Sequence, residues 1–185
     1  MRAYQHEIGF DKITLGVDPT SGALLRAHFW KEAGNDLEAS PLAGNLHNHR
    51  WNFASRILQG ELRIDKFTLS SNGQTYRHYR YWPEHGDDLE FVGHAGLDVG
   101  GSELVREGAE YFEEANEIHH ATPAPGDPAV TLMARSRSTR AYADVYTRSV
   151  RPDMSDPVIP LPLQTVRDRL EELAHLLERA RPLHF

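Results

Sequence analysis

LHNHRWNFASRILQGEL, residues Leu46 to Leu62, is the stretch on which the reading of this chain turns. It joins a His-x-His pair, an apolar run and a Gly-Glu step. Side chains alternate faces along an extended strand, so His47 and His49 share a wall with Trp51, Phe53, Ser55 and Ile57 provided no bulge intervenes. Gly60-Glu61 reads as a tight turn, and Leu62, Ile64 and Phe67 resume a strand. The expectation is a strand, a turn and a returning strand, with the imidazoles near the mouth. The pair alone says little: with 11 His in 185 residues, about 0.6 such pairs arise from composition. Context gives it weight.

Upstream, Ile8 to Asp18 reads as a first strand, closed by the turn cluster Pro19-Thr20-Ser21-Gly22. Leu24 to Trp30 follows, with Leu24, Arg26, His28 and Trp30 on one face and Leu25, Ala27 and Phe29 on the other. Alternation makes Arg26 and His28 co-facial without saying whether they face the interior or solvent. Asn35 to Asn45, with Pro41 and Gly44, reads as a loop delivering the chain into the His strand.

Downstream, Ser70-Ser71-Asn72-Gly73 is a turn signal between strands Glu61–Leu69 and Thr75–Trp82, which makes a meander the simplest connection. Pro83 to Gly101 reads as exposed hairpins or a rim. Glu103–Arg106, Glu110–His119, Ala129–Arg135 and Ala141–Thr147 are further strands, with a turn at Pro123-x-Pro125-Gly126-x-Pro128. Many short strands punctuated by turns indicate a sandwich or barrel rather than βαβ units. Val150 to Pro162 carries four prolines and reads as an extended connector. Thr165-x-x-Asp168 then signals a helix start, and Val166, Leu170, Leu173, Leu176 and Leu177 recur at helical spacing. The expected organisation is an all-β barrel domain over 1–149, then a Pro-rich connector and an amphipathic helix over 150–185 packed on it.

Bulk composition narrows the classes. The chain has no Cys, which excludes disulfides, thiolate ligands and a Cys nucleophile, and fits a reducing compartment. No long apolar run or secretory h-region is present, so the expectation is a cytoplasmic protein that engages no membrane. A formal net charge of -7 argues against nucleic acid as a partner.

His47-x-His49 followed by Gly60, together with Tyr111 and Ile118-His119-His120, resembles the cupin superfamily. The first cupin motif is His-x-His, a spacer, an acid, six residues and Gly; the second supplies a further His after a strand. The resemblance implies a jelly-roll β-barrel and covers about residues 45 to 147. Where many cupins carry a Glu ligand, seven residues before Gly60, this chain carries Phe53. LQGEL and EIHHATPAPGDPAVTL look like the thiol dioxygenase branch typified by cysteine dioxygenase, in which three His and no carboxylate hold ferrous iron. By that pattern His119, rather than His120, joins His47 and His49. Alternation agrees that only one of the two faces the site. That branch also carries a Ser-His-Tyr relay. Here the matching positions on the strand from Val130 to Arg137 hold Met133 and Arg135, which puts cysteine itself in doubt as substrate.

Three neutral imidazoles leave a divalent ion its full charge and open positions, so the site favours a chelating anion with room for dioxygen or water. Iron(II) is favoured by the resemblance; zinc or manganese suits the same donors. The implied function is a dioxygenase acting on a small anionic chelating molecule. The alternatives are a zinc or manganese isomerase, lyase or hydrolase, and a non-catalytic ligand-binding cupin. Arg26 is the candidate for gripping a substrate carboxylate, as an Arg does in the thiol dioxygenases, against a salt-bridged surface Arg as the plain alternative. Trp51 and Phe53 wall the pocket or simply pack the core, and Arg135 adds a cation if it faces inward. His78, His85, His94, His175 and His184 read as surface histidines. A homodimer is the expectation by family analogy.

Overall fold

The computed structural model describes residues 2–6, 9–31, 46–83, 89–126, 128–148 and 159–180. Among these, the chain forms β1 (Ala3–His6), β2 (Phe10–Val17), β3 (Leu24–Trp30), β4 (Leu46–His47), β5 (Phe53–Gln59), β6 (Glu61–Tyr81) and β7 (Leu89–Arg106). It continues as β8 (Glu110–Glu113), β9 (Ile118–Pro123), β10 (Ala129–Arg135), β11 (Ala143–Thr147), β12 (Ile159–Pro160) and α1 (Leu163–Arg179). Strand pairing is nested and antiparallel: β3 with β10, β4 with β9, β5 with β8, β6 with β7. This is the winding of a jelly roll. It gives two sheets, ordered β12-β1-β2-β3-β10-β5-β8 and β11-β4-β9-β6-β7. The all-β fold with a C-terminal helix is therefore as expected.

The strands are half-buried or doubly covered according to position. Between the sheets, Phe10, Trp30, Ile57 and Ala129 of the first meet Leu62, Ile64 and Val105 of the second. On the outer face of the first sheet, Ile13, Ala27, Phe29, Leu58, Val130 and Leu132 are covered by Val166, Leu173 and Leu176 of α1. Strands buried on both faces lose the clean polar alternation of a one-sided sheet. That explains why β3 and β10 are apolar on their outer face while their inner face keeps Arg26, His28, Thr131 and Arg135.

Nesting also corrects several local expectations. The stretch from His47 to Ile57 is not one strand: β4 lies in the second sheet and β5 in the first, and the chain crosses between them over residues 48–52. Gly60 is not a hairpin turn, because β5 and β6 lie in different sheets. It sits at φ +75°, and a Cβ there would stand 2.5 Å from the Pro128 carbonyl oxygen. The glycine is thus required by both conformation and close approach. Ser70 to Gly73 is not a turn between strands either. β6 runs through it as an irregularity, with Leu69 and Gln74 both opposite Leu97, and the meander becomes one long β6–β7 hairpin. Most of the expected rim belongs to β7. Glu110–His119 divides into β8 and β9, one in each sheet.

At the N-terminus β1 was not anticipated. The first expected strand survives as β2, with Ile8 outside the described residues. The Asn35–Asn45 loop lies outside them, as does the connector over 150–158. The helix starts at Leu163 behind Pro162, with no side-chain cap, so Thr165 lies in its first turn rather than capping it. A proline fixes the entry dihedral without needing a cap donor. Among the described residues no helix is long and apolar enough to cross a membrane.

Candidate metal centre

His47 ends β4 directly opposite His119 of β9. Two residues on, as the chain leaves for the other sheet, His49 turns back toward the same point. The three ring centroids form a near-equilateral triangle of 4.9, 5.0 and 5.0 Å. One ring nitrogen from each lies within 4.8 Å of the others, and among the described residues no carboxylate joins them. Burial, and then the neighbouring His47, hold His49 and His119 well below the ordinary histidine pKa. Both are therefore neutral at physiological pH, the form that binds a metal. His119 Nδ1 lies 3.3 Å from the Glu117 carbonyl oxygen. When that nitrogen donates, Nε2 is left with its lone pair toward the cluster, the arrangement by which supporting contacts aim ligands.

The residue between the paired histidines is the anchor. Asn48, buried, donates from Nδ2 to Asp144 Oδ2 at 2.9 Å, and its Oδ1 accepts the Asp144 backbone N–H at 2.7 Å. Its own N–H donates to the Asp144 carbonyl at 3.1 Å. Asp144 also accepts from Arg140 Nη2 and contacts His78 Nε2, each at 2.8 Å. Arg140 Nη1 in turn reaches the Ala115 carbonyl, 3.1 Å away, which also accepts the His49 N–H at 3.0 Å. The crossing 48–52 is thus pinned on both sides of the His pair. His78, expected on the surface, belongs to this network and stacks on Tyr146. His94 and His175 are exposed as expected, and His85 and His184 lie outside the described residues.

Phe53 lies beside the cluster. It is buried, with its ring edge-on to His49 at 5.1 Å and to His119 at 5.9 Å. Behind it Tyr111 packs at 5.8 Å, its phenol pushed up to about 12 by burial. Trp51 stacks on His49 at 5.5 Å. Arg26 and Arg135 both face inward, their guanidinium carbons 5.6 and 4.3 Å from the Trp51 ring centroid. Arg26 is therefore not a surface residue, and the structure answers what alternation left open. Met133 lies on the inner face between them, paired with Arg26 and Ser55. His120, on the other side of β9 from His119, pairs with Asp65 and is not in the cluster.

One group was missed from sequence. Glu113 pairs with Phe53 across the β5–β8 ladder and is 1 % exposed. Its Oε1 lies 3.4 Å from Lys66 Nζ and its Oε2 3.9 Å from His119 Nδ1. Burial lifts its carboxyl to about 7. A buried carboxyl thus stands one strand away from Phe53, behind His119 rather than among the three ring nitrogens. Only the strand register reveals it.

No protein-family model matches the chain, and a search of curated proteins gives no match. Among solved structures, the chain is similar to hydroquinone 1,2-dioxygenase PnpCD in complex with cadmium and 4-hydroxybenzonitrile, at 14 % identity and TM-score 0.44, over 83 % of this chain and 74 % of that one. It is also similar to hydroxypropylphosphonic acid epoxidase from S. wedmorenis, at 15 % identity and TM-score 0.40, over 69 % of this chain but only 50 % of that one. A third is an RmlC-like cupin protein from Ralstonia eutropha, at 13 % identity and TM-score 0.37, over 95 % and 80 % of the two chains.

Proposed function

We propose that this chain is a metal-dependent oxygenase in which His47, His49 and His119 hold one divalent ion, iron(II) by preference, and act on a small anionic chelating molecule. The observation that carries this is the convergence of three imidazoles, those of His49 and His119 held neutral by burial, with Phe53, not an acid, on the fourth side. When bound, iron(II) supplies a Lewis-acid centre with open positions and an electron source for dioxygen.

The remaining chemistry belongs to the chain. With no carboxylate in the cluster, an anionic ligand meets undiminished positive charge there. Phe53 and Trp51 exclude water from the side of the chelate they cover. Arg26 and Arg135 draw the anion in and fix its orientation, which is where much of a catalyst's advantage arises. Met133 and Arg135 stand at the positions where the thiol dioxygenases carry relay residues, so proton handling by a thiol-type relay is not part of this reading.

The test is elemental analysis of freshly purified protein, then anaerobic iron loading and oxygen-electrode assays against thiols, catechols and β-diketones. His47→Ala, His49→Ala and His119→Ala are expected to lose stoichiometric metal and oxygen uptake, while His120→Ala keeps both. Uptake with none of the substrate classes overturns the oxygenase reading. Stoichiometric zinc, with the iron-loaded protein inert, moves the site to hydrolysis, isomerisation or elimination.

A further inference from the structure

Three buried N–H donors around one aromatic ring have no acceptor. Arg26 Nε, Arg135 Nε and Trp51 Nε1 are each shielded from solvent and unpaired among the described residues. Buried donors are nearly always satisfied, so an orphaned set marks a place where a ligand belongs. Arg26 lies opposite Met133 in the β3–β10 ladder and Arg135 two residues further on, so the two are diagonal neighbours on the inner face, within reach of one another's long side chains.

Charge in this corner is segregated as well. The chain as a whole carries -7, yet among the described residues no carboxylate pairs with either guanidinium. Arg135 Nη1 donates only to the Ser136 carbonyl at 3.0 Å, and the adjacent Arg50 donates from Nε to the Arg140 carbonyl at 3.1 Å. Burial, and after it the charge of Arg135, pull Arg26 down to about 10. Two like charges are thus held together in a part-buried site with no counter-ion among the described residues.

We propose that Arg26, Arg135 and the Trp51 indole N–H form a seat for a tetrahedral, doubly charged oxyanion, a phosphate or phosphonate group, at the end of the substrate away from its metal-chelating head. Charge decides the class. A carboxylate's two oxygens could accept all three N–H groups, but its single charge leaves one guanidinium uncompensated. A tetrahedral phosphate or phosphonate offers three oxygens and a second charge. The seat adjoins the cluster through Trp51, whose ring stacks 5.5 Å from that of His49. The chelating head rests on the three-His reading above; the seat does not.

Calorimetric titration of the zinc-loaded protein at mildly alkaline pH tests it, with three probes that share an α-hydroxy acid head: lactate, malate and 3-phosphonolactate. The expected result is binding of 3-phosphonolactate about ten-fold or more tighter than malate, the worth of one additional charge-assisted contact. Arg26→Gln and Arg135→Gln each remove that preference, weakening 3-phosphonolactate far more than lactate. Trp51→Phe, which keeps the ring and deletes the donor, weakens 3-phosphonolactate several-fold if either Arg variant fails to fold. Malate binding as tightly as 3-phosphonolactate, or a preference that survives the substitutions, overturns the seat. Inorganic phosphate titrated into His119→Ala separates the two readings. Arg26-dependent phosphate binding by wild-type protein that takes up no zinc supports the seat and sinks the metal reading. Stoichiometric zinc without phosphonate preference does the reverse.

Discussion

Replacing Asn48 by Ala probes the link between fold and metal centre most directly. Asn48 is 4 % exposed and Asp144 7 %, so neither can turn to water for compensation. The substitution deletes a charge-assisted bond to the Asp144 carboxylate and strands the Asp144 backbone N–H. A hydrogen bond to a charged group is worth about 1.5–3 kcal/mol, and a buried donor left unsatisfied costs about 1–3 kcal/mol. The two share one residue pair and are not additive, so about 3 kcal/mol is the working figure. In urea this lowers the midpoint by about 1.5 M for a slope of about 2 kcal/mol/M. Because Asn48 sits between His47 and His49, the same change loosens both rings, and metal affinity is expected to fall about 10–100-fold, as when a supporting contact of a ligand is removed. Urea titration by far-UV circular dichroism gives the first quantity, and competition with a chromophoric chelator the second. Asn48→Asp provides the internal check. It keeps an acceptor for the Asp144 N–H but sets carboxylate against carboxylate, so it must be worse than Ala. A loss under 1 kcal/mol with unchanged metal affinity refutes the assignment of Asn48 as anchor.

Gly60→Ala is expected to cost well over 1 kcal/mol, because a positive φ and a 2.5 Å approach to the Pro128 carbonyl both oppose a Cβ; a thermal melt within a degree of wild type would sink this. Leu173→Ala, in the helix interface, should lose about 2–5 kcal/mol and leave the metal affinity of the folded protein unchanged, since α1 covers the face of the sheet opposite the cluster. Titration of stability with pH has a worked sign. His6, His28, His49, His119 and His120 lie below the ordinary histidine pKa, chiefly through burial. The unfolded chain therefore binds more protons below about pH 6.5, and stability present above that value is lost on acidification. Glu113, raised to about 7, acts in the opposite sense, gaining stability as pH falls from about 7 toward about 4.5. Urea midpoints of metal-free protein should still decline from about pH 7 to about pH 5.5, more steeply in Glu113→Gln; a flat profile in both proteins would refute the neutral-histidine cluster.

Which features were legible in the sequence follows from how far apart their causes lie. β3 and β10 are bounded in the structure as alternation bounded them, because each strand's pattern is set by its own residues and two fixed faces. Gly60 was recognised as a turn but not as a change of sheet. A positive φ looks the same locally in both cases, and the carbonyl that excludes a Cβ belongs to Pro128, far along the chain. Ser70 to Gly73 misled for a related reason: turn-forming residues serve equally well to let β6 bulge past Leu97, where a Cβ on Gly73 would meet the Leu97 backbone at 2.5 Å. Nested pairing makes this general. β1–β2, β2–β3 and β6–β7 pair as sequence neighbours, but β3, β4 and β5 pair with the distant β10, β9 and β8, so a scheme of local hairpins misassigns those crossings.

The same distance rule divides the site. His47 and His49 were visible because two ligands two residues apart leave a short-range trace, and His119 because a family motif stands in for the missing contact. Asn48 leaves no trace until Asp144, 96 positions away, is brought beside it. Phe53 and Glu113 show the consequence most clearly. Read along the chain, Phe53 offers no acid; read across the β5–β8 ladder, it faces Glu113. That carboxyl stands behind His119, 3.9 Å from Nδ1, instead of among the three ring nitrogens. From there a carboxylate would tune His119 without entering the set of ring nitrogens. Arg26 and Arg135 face inward and have no carboxylate partner among the described residues. With the carboxyl placed behind a histidine, the proposed seat would keep its positive charge for an anion from outside.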